Sequence, residues 1–135
     1  MARIRGKDTK PELQVRRALH AAGLRFRLHA NDVPGRPDIV FRRKKIAVFV
    51  HGCFWHRHPD PECKFTRMPK SRLEFWAAKF NANVARDLRN VQDLQILGWQ
   101  VEIVWECDLS AETITNLAKR IRDREAPSKI NVRLK

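Results

Sequence analysis

The stretch that decides the fold of this chain is DIVFRRKKIAVFV, residues 38–50. Two apolar runs, residues 39–41 and 46–50, are separated by four cations at residues 42–45. Short apolar runs are typical of buried strands, and a charged connection between them is typical of an exposed turn. The stretch therefore predicts a hairpin, with Asp38 at the head of its first strand.

The residues before the hairpin predict a helix. Thr9 can cap the first turn, Pro11 is tolerated within that turn, and Glu12 follows the cap by three residues, as in a capping box. Gly23 is placed to end the helix. We therefore expect a helix from Thr9 to about residue 22.

The residues after the hairpin predict a helix, a strand and another helix. Over residues 71–97 the apolar residues recur at three- and four-residue spacing, which is typical of a long amphipathic helix. Its apolar stripe comprises Leu73, Trp76, Ala77, Phe80, Val84, Leu88, Val91 and Leu94. Residues 100–105 are typical of a strand, and Ser110 can cap a last helix. A right-handed crossover most easily lays that strand beside the hairpin, so the chain is predicted to be α/β.

Length and composition limit the class of protein. The chain has 135 residues, 43% of them apolar, with seven Phe and four Trp, which is enough to bury one core. We expect one domain over residues 1–135, with a loose tail from about residue 125. A run of about 18 apolar residues and a secretory signal are both missing, so we expect a soluble intracellular protein.

The charge of the chain predicts a polyanionic partner. Lys and Arg number 28 against 15 acidic residues, which gives a net charge of +13, far more than solubility requires. An anionic membrane is one alternative, but the sequence predicts no amphipathic helix with a purely basic polar face. A basic surface without a partner is the other alternative. Nucleic acid is therefore the favoured partner.

The stretch HGCFWHRHPDPEC, residues 51–63, combines two cysteines with three histidines. Cys53, His58 and Cys63 are each separated by four residues, and Cys107 after the last strand could return to them. Three thiolates and one imidazole suit structural zinc. An odd number of cysteines without a secretory signal argues against a disulfide framework. The alternative is buried free thiols with His58 on the surface.

A catalytic site is predicted where the two strands of the hairpin meet. Asp38 at the head of one strand and a polar site at the end of the next could supply the oxygen ligands that Mg²⁺ prefers. His51 and His56 remain once His58 is assigned to zinc, and a neutral imidazole there could take the proton from an attacking water. The alternatives are a turn aspartate and structural histidines. Glu12 could equally be only part of the cap.

Three aromatic residues and one acidic residue have two interpretations each. Phe54, Trp55 and Trp76 on a basic protein suit stacking on bases or wedging between base pairs, and the alternative is ordinary core packing. Asp87 on the long helix could support the catalytic site or be a solvated charge. The residues alone do not decide between these interpretations.

Four stretches carry a resemblance to a known family: PGRPDIVF, HGCFWH, SRLEFWAAKFNANVARD and LGWQVEIVWEC. They resemble the very short patch repair endonucleases (Vsr), a bacterial family that nicks DNA at T:G mismatches. The resemblance extends from about Gly6 to Cys107. It implies a restriction-endonuclease-like fold, a PD-(D/E)XK variant with a mixed sheet, flanking helices and a zinc-stapled loop. It also implies catalytic Mg²⁺ and structural Zn²⁺.

The resemblance implies a role for each matching residue. Asp38 matches the metal-binding aspartate, Val50 offers a main-chain carbonyl to the metal, and His56 matches the histidine that activates water. The supporting active-site positions are His51, Asp87 and Glu12. The zinc ligands are Cys53, His58, Cys63 and Cys107. The residues implied to contact DNA are Phe54, Trp55 and Trp76, which would wedge into the duplex, and Lys79 and Asn83, which would lie near the mismatched bases.

The chain departs from the family pattern at two places relevant to the site. Residues 59–62 lengthen the predicted zinc loop, and Val50 stands where a threonine is expected. The second carboxylate and the lysine of PD-(D/E)XK enzymes are also missing, so a histidine must serve as the base.

The resulting hypothesis is a Mg²⁺-dependent mismatch endonuclease that nicks one strand of duplex DNA 5′ to the thymine of a T:G pair. We expect a monomer in the bacterial cytoplasm, at the nucleoid, with mismatch-repair proteins as further partners. The alternatives are a nuclease of the same fold with another DNA target and a non-catalytic, zinc-stapled DNA-binding module.

Overall fold

A computed structural model describes residues 9–126 of the chain. Its elements are α1 (Lys10–Ala21), β1 (Arg27–Leu28), β2 (Ile39–Phe41), β3 (Ile46–His51), α2 (Cys53–His56), α3 (Leu73–Ile96), β4 (Gln100–Trp105) and α4 (Ala111–Asp123). Short 3₁₀ turns form at Lys64–Thr66 and Glu106–Asp108. Most of the predicted tail, from residue 127 onward, lies outside the described residues.

The four strands form one mixed sheet in the order β1-β2-β3-β4. The predicted hairpin is confirmed, because β2 pairs antiparallel with β3 from Ile39↔Val48 to Phe41↔Ile46. Strand β4 pairs parallel with β3 along its whole length, and α3 forms the crossover between them. The predicted α/β arrangement is therefore confirmed at the level of a mixed sheet flanked by helices.

The predicted caps of α1 and α4 agree with the structure, whereas α3 begins at Leu73, two residues after the predicted Ser71. The hydroxyl of Thr9 accepts a hydrogen bond of 3.4 Å from the backbone N–H of Glu12, and Ser110 accepts one of 3.1 Å from Thr113. After α1 the chain turns at Gly23, whose φ of +87° lies in the left-handed region. These caps satisfy N–H groups that would otherwise lack partners at the starts of α1 and α4.

Strands β2 and β3 are buried on both faces. On one face they pack against Val15 and Leu19 of α1 and Leu117 and Ile121 of α4. On the other face the smaller cluster includes Leu94 of α3. Residues of β2 and β3 alternate between the two clusters, as the period of a strand requires. The continuous apolar run in the hairpin therefore reflects a strand pair covered by helices on both sides.

Helix α3 is confirmed, but its apolar stripe is not a core face along its whole length. Phe80 and Leu94 are buried, whereas Leu73, Val84 and Leu88 are 53%, 43% and 57% exposed. The periodicity thus predicted the helix correctly without indicating which of its residues are covered.

The antiparallel pairing of β2 and β3 creates the site. It brings Asp38, just before β2, to the end of β3, where the backbone N–H of Val50 donates a 2.7 Å hydrogen bond to Asp38 Oδ2. Within residues 9–126, none of the helices is long and apolar enough to cross a membrane.

Candidate active site and cysteine cluster

A cleft of about 810 Å³ opens at this end of the sheet. Its walls come from α1, α2, α3, the segment just before β2 and the end of β3. The lining residues with ionisable side chains are Glu12, Arg36, Asp38, His51, His56, Arg86, Asp87 and Glu106. The structure therefore brings together five sequence-predicted residues that are distant along the chain: Glu12, Asp38, His51, His56 and Asp87.

Asp38 lies on the floor of this cleft beside a second acid. Burial raises the pKa of Asp38 to about 7, the hydrogen bond from Val50 opposes that rise, and the nearby Glu12 adds to it. Glu12 is itself only 3% exposed. Arg16 Nη2 lies 3.4 Å from Glu12 Oε1 and favours the ionised form of Asp38, but burial and the neighbouring acid prevail and the pKa of Asp38 stays raised. Two buried carboxyl groups side by side supply the oxygen ligands that a divalent ion prefers.

His29 was missed by the sequence analysis. One ligand atom each from Glu12, His29 and Asp38 lies within 4.8 Å of the others. Arg16 Nη2 is 3.0 Å from His29 Nε2 and 3.4 Å from Glu12 Oε1. Because the guanidinium can only donate, Nε2 of His29 accepts and the imidazole is protonated at Nδ1 if it is neutral. A lone histidine in a loop carries no pattern that could have identified it.

His56 is oriented by Asp87. Gly52 and the left-handed Arg57 bracket the four-residue helix α2, whose last residue is His56. His56 Nδ1 lies 2.5 Å from Asp87 Oδ2 on α3. Burial opposes ionisation of Asp87, but its hydrogen bond to His56 and the nearby positive groups leave its pKa below the ordinary value. An ionised Asp87 accepts a hydrogen bond from Nδ1–H of a neutral His56, which leaves Nε2 as the basic nitrogen.

His51 stacks on His56, with ring centroids 3.9 Å apart and planes within 4° of parallel. Burial, reinforced by the neighbouring His56, lowers the pKa of His51 to about 3, so the ring is neutral near pH 7. Its Nδ1 is buried without a hydrogen-bond partner among the described residues. A buried nitrogen of this kind is suited to a water or to a ligand group inside the cleft.

The three free cysteines and His58 form a separate cluster. All four ligand atoms lie within 4.8 Å of one another. Cys53 Sγ is 3.7 Å and Cys107 Sγ is 3.3 Å from His58 Nδ1, and Cys63 Sγ is 3.8 Å from Cys107 Sγ. A tetrahedron with zinc bond lengths of about 2.0–2.3 Å has edges of about 3.4–3.8 Å, so these donors fit zinc without large rearrangement. Burial raises the pKa of the Cys53 thiol to about 12 in the absence of a cation.

The extended loop does not remove Cys63 from the cluster. Residues 59–62 form a turn of their own, in which Cys63 N–H donates to Asp60 O at 3.0 Å and Glu62 N–H donates to Asp60 Oδ1 at 2.9 Å. The extra residues therefore loop outward and return Cys63 to the position opposite Cys107.

The predicted DNA-contacting aromatics form a cluster on α2 and α3. Phe54, Trp55 and Trp76 lie with ring centroids 5.1–5.9 Å apart, and Phe54 packs at 5.1 Å against the buried Phe80. All three predicted residues are half-buried. The three rings pack against one another and each keeps part of its surface exposed, so their contact with DNA stays a prediction.

The other two predicted DNA-contacting residues lie beside this cluster. Asn83 Nδ2 donates a 3.2 Å hydrogen bond to the carbonyl of Trp55. Lys79 Nζ lies 5.9 Å from the centre of the Trp55 ring. Both side chains thus contact the same aromatic residue from α3.

Comparison with known proteins identifies the family to which this chain belongs. A family model described as DNA mismatch endonuclease Vsr matches residues 1–63. The chain is 48% identical over 128 residues to the type II nicking enzyme V.XorIIP of Xanthomonas oryzae pv. oryzae, covering 95% of this chain and 90% of that protein. The chain belongs to the Vsr family. The DNA mismatch endonuclease Vsr of Escherichia coli K12 is 44% identical over 109 residues, which cover 81% of this chain and 68% of that protein. The type II nicking enzyme V.NmeAIP of Neisseria meningitidis serogroup A is 39% identical over 128 residues, covering 91% and 89%.

Membership of the Vsr family confirms three predictions from the sequence. They are the family itself, its assignment to DNA repair, and the enzyme class, a DNA endonuclease. The mixed α/β sheet agrees with the nuclease fold that the family implies.

Proposed function

We propose that this protein is a Mg²⁺-dependent mismatch endonuclease that nicks one strand of duplex DNA 5′ to the thymine of a T:G pair. The observation that carries the proposal is the composition of one cleft. Asp38 and Val50 lie on its floor, and the His56–Asp87 pair lines the same cleft. A cation site and an oriented base on either side of one phosphodiester are the parts that such a hydrolysis requires.

Asp38 and the carbonyl of Val50 would hold Mg²⁺. The donor set fits, because a buried carboxylate with a raised pKa gains from a hard cation and because Mg²⁺ prefers oxygen ligands. When bound, the ion would supply positive charge to the scissile phosphate and to the departing oxygen. Glu12 and His51 would support the site as neighbours of Asp38 and His56. Since only the main chain of Val50 would bind, valine in place of the expected threonine is compatible with this role.

His56 would act as the general base. Asp87 accepts a hydrogen bond from Nδ1–H, so Nε2 would be available to take the proton from the attacking water. His51 stacks on the ring of His56 and, being neutral, adds no charge that would oppose protonation of His56. Asp87 and His51 would therefore hold His56 in the orientation that a general base needs.

The aromatic cluster would open the duplex. Unstacking one step costs a few kcal/mol and costs least at a mispair, so a wedge formed by Phe54, Trp55 and Trp76 would favour mismatched DNA. The net charge of +13 supports a DNA partner. Lys79 and Asn83 contact Trp55 and would follow it to the mispaired bases. That the mispair is T:G follows the resemblance stated above.

Zinc would fix the base and the wedge together. Cys53 begins α2, which also carries Phe54, Trp55 and His56, and Cys107 follows β4. A metal bound by Cys53, His58, Cys63 and Cys107 would therefore attach α2 to the end of the sheet. Such a closed four-ligand shell has a structural role.

A single-strand nick requires one active site, so we propose a monomer with one domain over residues 1–135. The bacterial cytoplasm, at the nucleoid, is the proposed location, and mismatch-repair proteins are the proposed partners.

One assay tests this function. Zinc-loaded protein is incubated with a labelled duplex carrying one T:G pair, or with the matched T:A duplex, with Mg²⁺ present or omitted. The expected result is a nick in the T:G duplex alone, only with Mg²⁺, and lost in Asp38→Ala. A nick that persists without Mg²⁺ or in Asp38→Ala would contradict the proposed metal site.

The same assay tests a second candidate, a nuclease of the same fold with another DNA target. It is favoured by the names of two relatives, V.XorIIP and V.NmeAIP, which are type II nicking enzymes. Equal cutting of the matched duplex would support that candidate over mismatch specificity. No cut of any duplex would instead favour a non-catalytic DNA-binding module.

A further inference from the structure

A second groove, of about 330 Å³, shares one aromatic ring with the catalytic cleft. It is lined by Phe54, Lys64, Phe65, Arg67, Met68, Pro69 and Lys70. Phe54 also lines the cleft that contains His56, so this ring forms a common wall. A DNA strand that passes the edge of Phe54 would leave the cleft and enter the groove.

The lining of the groove combines apolar surface with positive charge. Phe65 and Met68 are 49% and 43% exposed, although both are large and apolar. Lys64, Arg67 and Lys70 are exposed around them, and the lining contains no carboxylate. Aromatic and apolar side chains among cations are suited to an unpaired nucleotide, whose base stacks and whose phosphates carry negative charge.

One wall of the groove, the turn Lys64–Thr66, is held by contacts with its neighbours. Arg57 donates hydrogen bonds to the carbonyls of Phe54 and Thr66, and its guanidinium lies 4.1 Å from the centre of the Phe80 ring. The Thr66 hydroxyl donates a 3.0 Å hydrogen bond to the carbonyl of Cys63. The turn Lys64–Thr66 is thereby attached both to the aromatic cluster and to the cysteine cluster. This wall of the groove is therefore fixed before a ligand binds, which reduces the conformational entropy that binding removes.

We propose that this groove receives one unstacked nucleotide of the DNA strand next to the aromatic wedge. Phe65 and Met68 contact the base, and Lys64, Arg67 and Lys70 contact the adjacent phosphates. The inference rests on the proposed function, because a wedge that opens the stack exposes the face of a neighbouring base. The groove covers that face and so lowers the free energy of the opened duplex.

The test is a thermodynamic cycle between a base deletion in the DNA and a side-chain deletion in the protein. T:G duplexes are made with one abasic residue, placed in turn at the two positions on each side of the mispair in each strand. Dissociation constants are measured for the wild type and Phe65→Ala, with Ca²⁺ in place of Mg²⁺ to prevent cutting. Ile96→Ala is the matched control, since Ile96 is an 81% exposed aliphatic residue in the last turn of α3.

At one position, the abasic residue is expected to weaken binding of the wild type by about 5- to 150-fold, the range of base–aromatic stacking. Phe65→Ala is expected to bind intact DNA equally weakly and to show no further loss on that abasic duplex. In Met68→Ala the same abasic residue should weaken binding less than it does in the wild type. In Ile96→Ala it should weaken binding as much as in the wild type. The inference would be overturned if Phe65→Ala bound intact DNA as tightly as the wild type. It would also be overturned if, at every position, the abasic residue weakened binding of Phe65→Ala as much as it weakened binding of the wild type.

Failure of the inference is distinguishable from failure of the proposed function. If the wild type nicks T:G duplexes with Mg²⁺ but the cycle shows no coupling, only the groove is refuted. If the wild type nicks no T:G duplex, the proposed function is refuted, and the groove with it.

Discussion

Replacing Asp38 by asparagine should make the protein inactive and, without Mg²⁺, more stable. Burial raises the pKa of this carboxyl from 3.8 to about 7, a change that corresponds to about 4 kcal/mol of penalty on its ionised form. Asparagine removes the charge and keeps an oxygen that can accept the hydrogen bond from Val50, but its amide N–H groups need partners of their own. We therefore expect a net gain of about 2 kcal/mol in the free energy of unfolding at pH 8.

The sign of the pH dependence follows from the raised pKa. The free-energy penalty for burying ionised Asp38 is absent below pH 3.8, where Asp38 is protonated in the folded and unfolded states. It is fully developed above pH 7, where Asp38 is ionised in both states. Thermal melts of zinc-loaded protein without Mg²⁺ should therefore give nearly equal Tm values for the wild type and Asp38→Asn near pH 5, where the penalty has reached about 2 kcal/mol and offsets the cost of burying the amide. By pH 8 the variant should melt about 7 °C higher. Mg²⁺ should reduce this difference in Tm, because it should stabilise the wild type alone. A variant that is no more stable at pH 8, or a difference that does not change with pH, would refute this reasoning.

Three further predictions concern other parts of the site. Asp87→Asn should lower the single-turnover nicking rate about 10²- to 10⁴-fold with little change in DNA affinity, and an unchanged rate would contradict its role in orienting His56. Cys53→Ser should leave less than one zinc per chain by metal analysis and should lower Tm, whereas a full zinc content would contradict the ligand assignment. Trp55→Ala should weaken binding to a T:G duplex more than to a matched one, and equal losses would contradict the wedge.

The main elements could be predicted because several signals agreed in each of them. Thr9 and Ser110 marked helix starts, and the apolar runs on either side of residues 42–45 marked the hairpin. Strand β1 was missed because Arg27–Leu28 is two residues long and exposed, so it offers no alternation. Helix α2 was missed for a similar reason, since four residues are too few to show a helical period.

The candidate site was predictable where ligand types are rare in sequence and unpredictable where they are common. Cysteines are few, so their spacing pointed to a cluster before any geometry was known. His29 joins Glu12 and Asp38 only through the fold, because it is 17 residues from Glu12 and nine residues from Asp38, in a loop. The exposure of Leu88 on α3 likewise depends on how few residues of that helix contact the sheet.

The most direct test of the proposed reaction is the position of the cut. Each strand of a T:G duplex is labelled separately, and the products are resolved at single-nucleotide length after reaction with Mg²⁺. The expected result is one product, from the thymine strand, cut at the phosphodiester 5′ to the mispaired thymine, and no product from the guanine strand. Cuts in both strands, or the same product from a matched T:A duplex, would contradict the proposal.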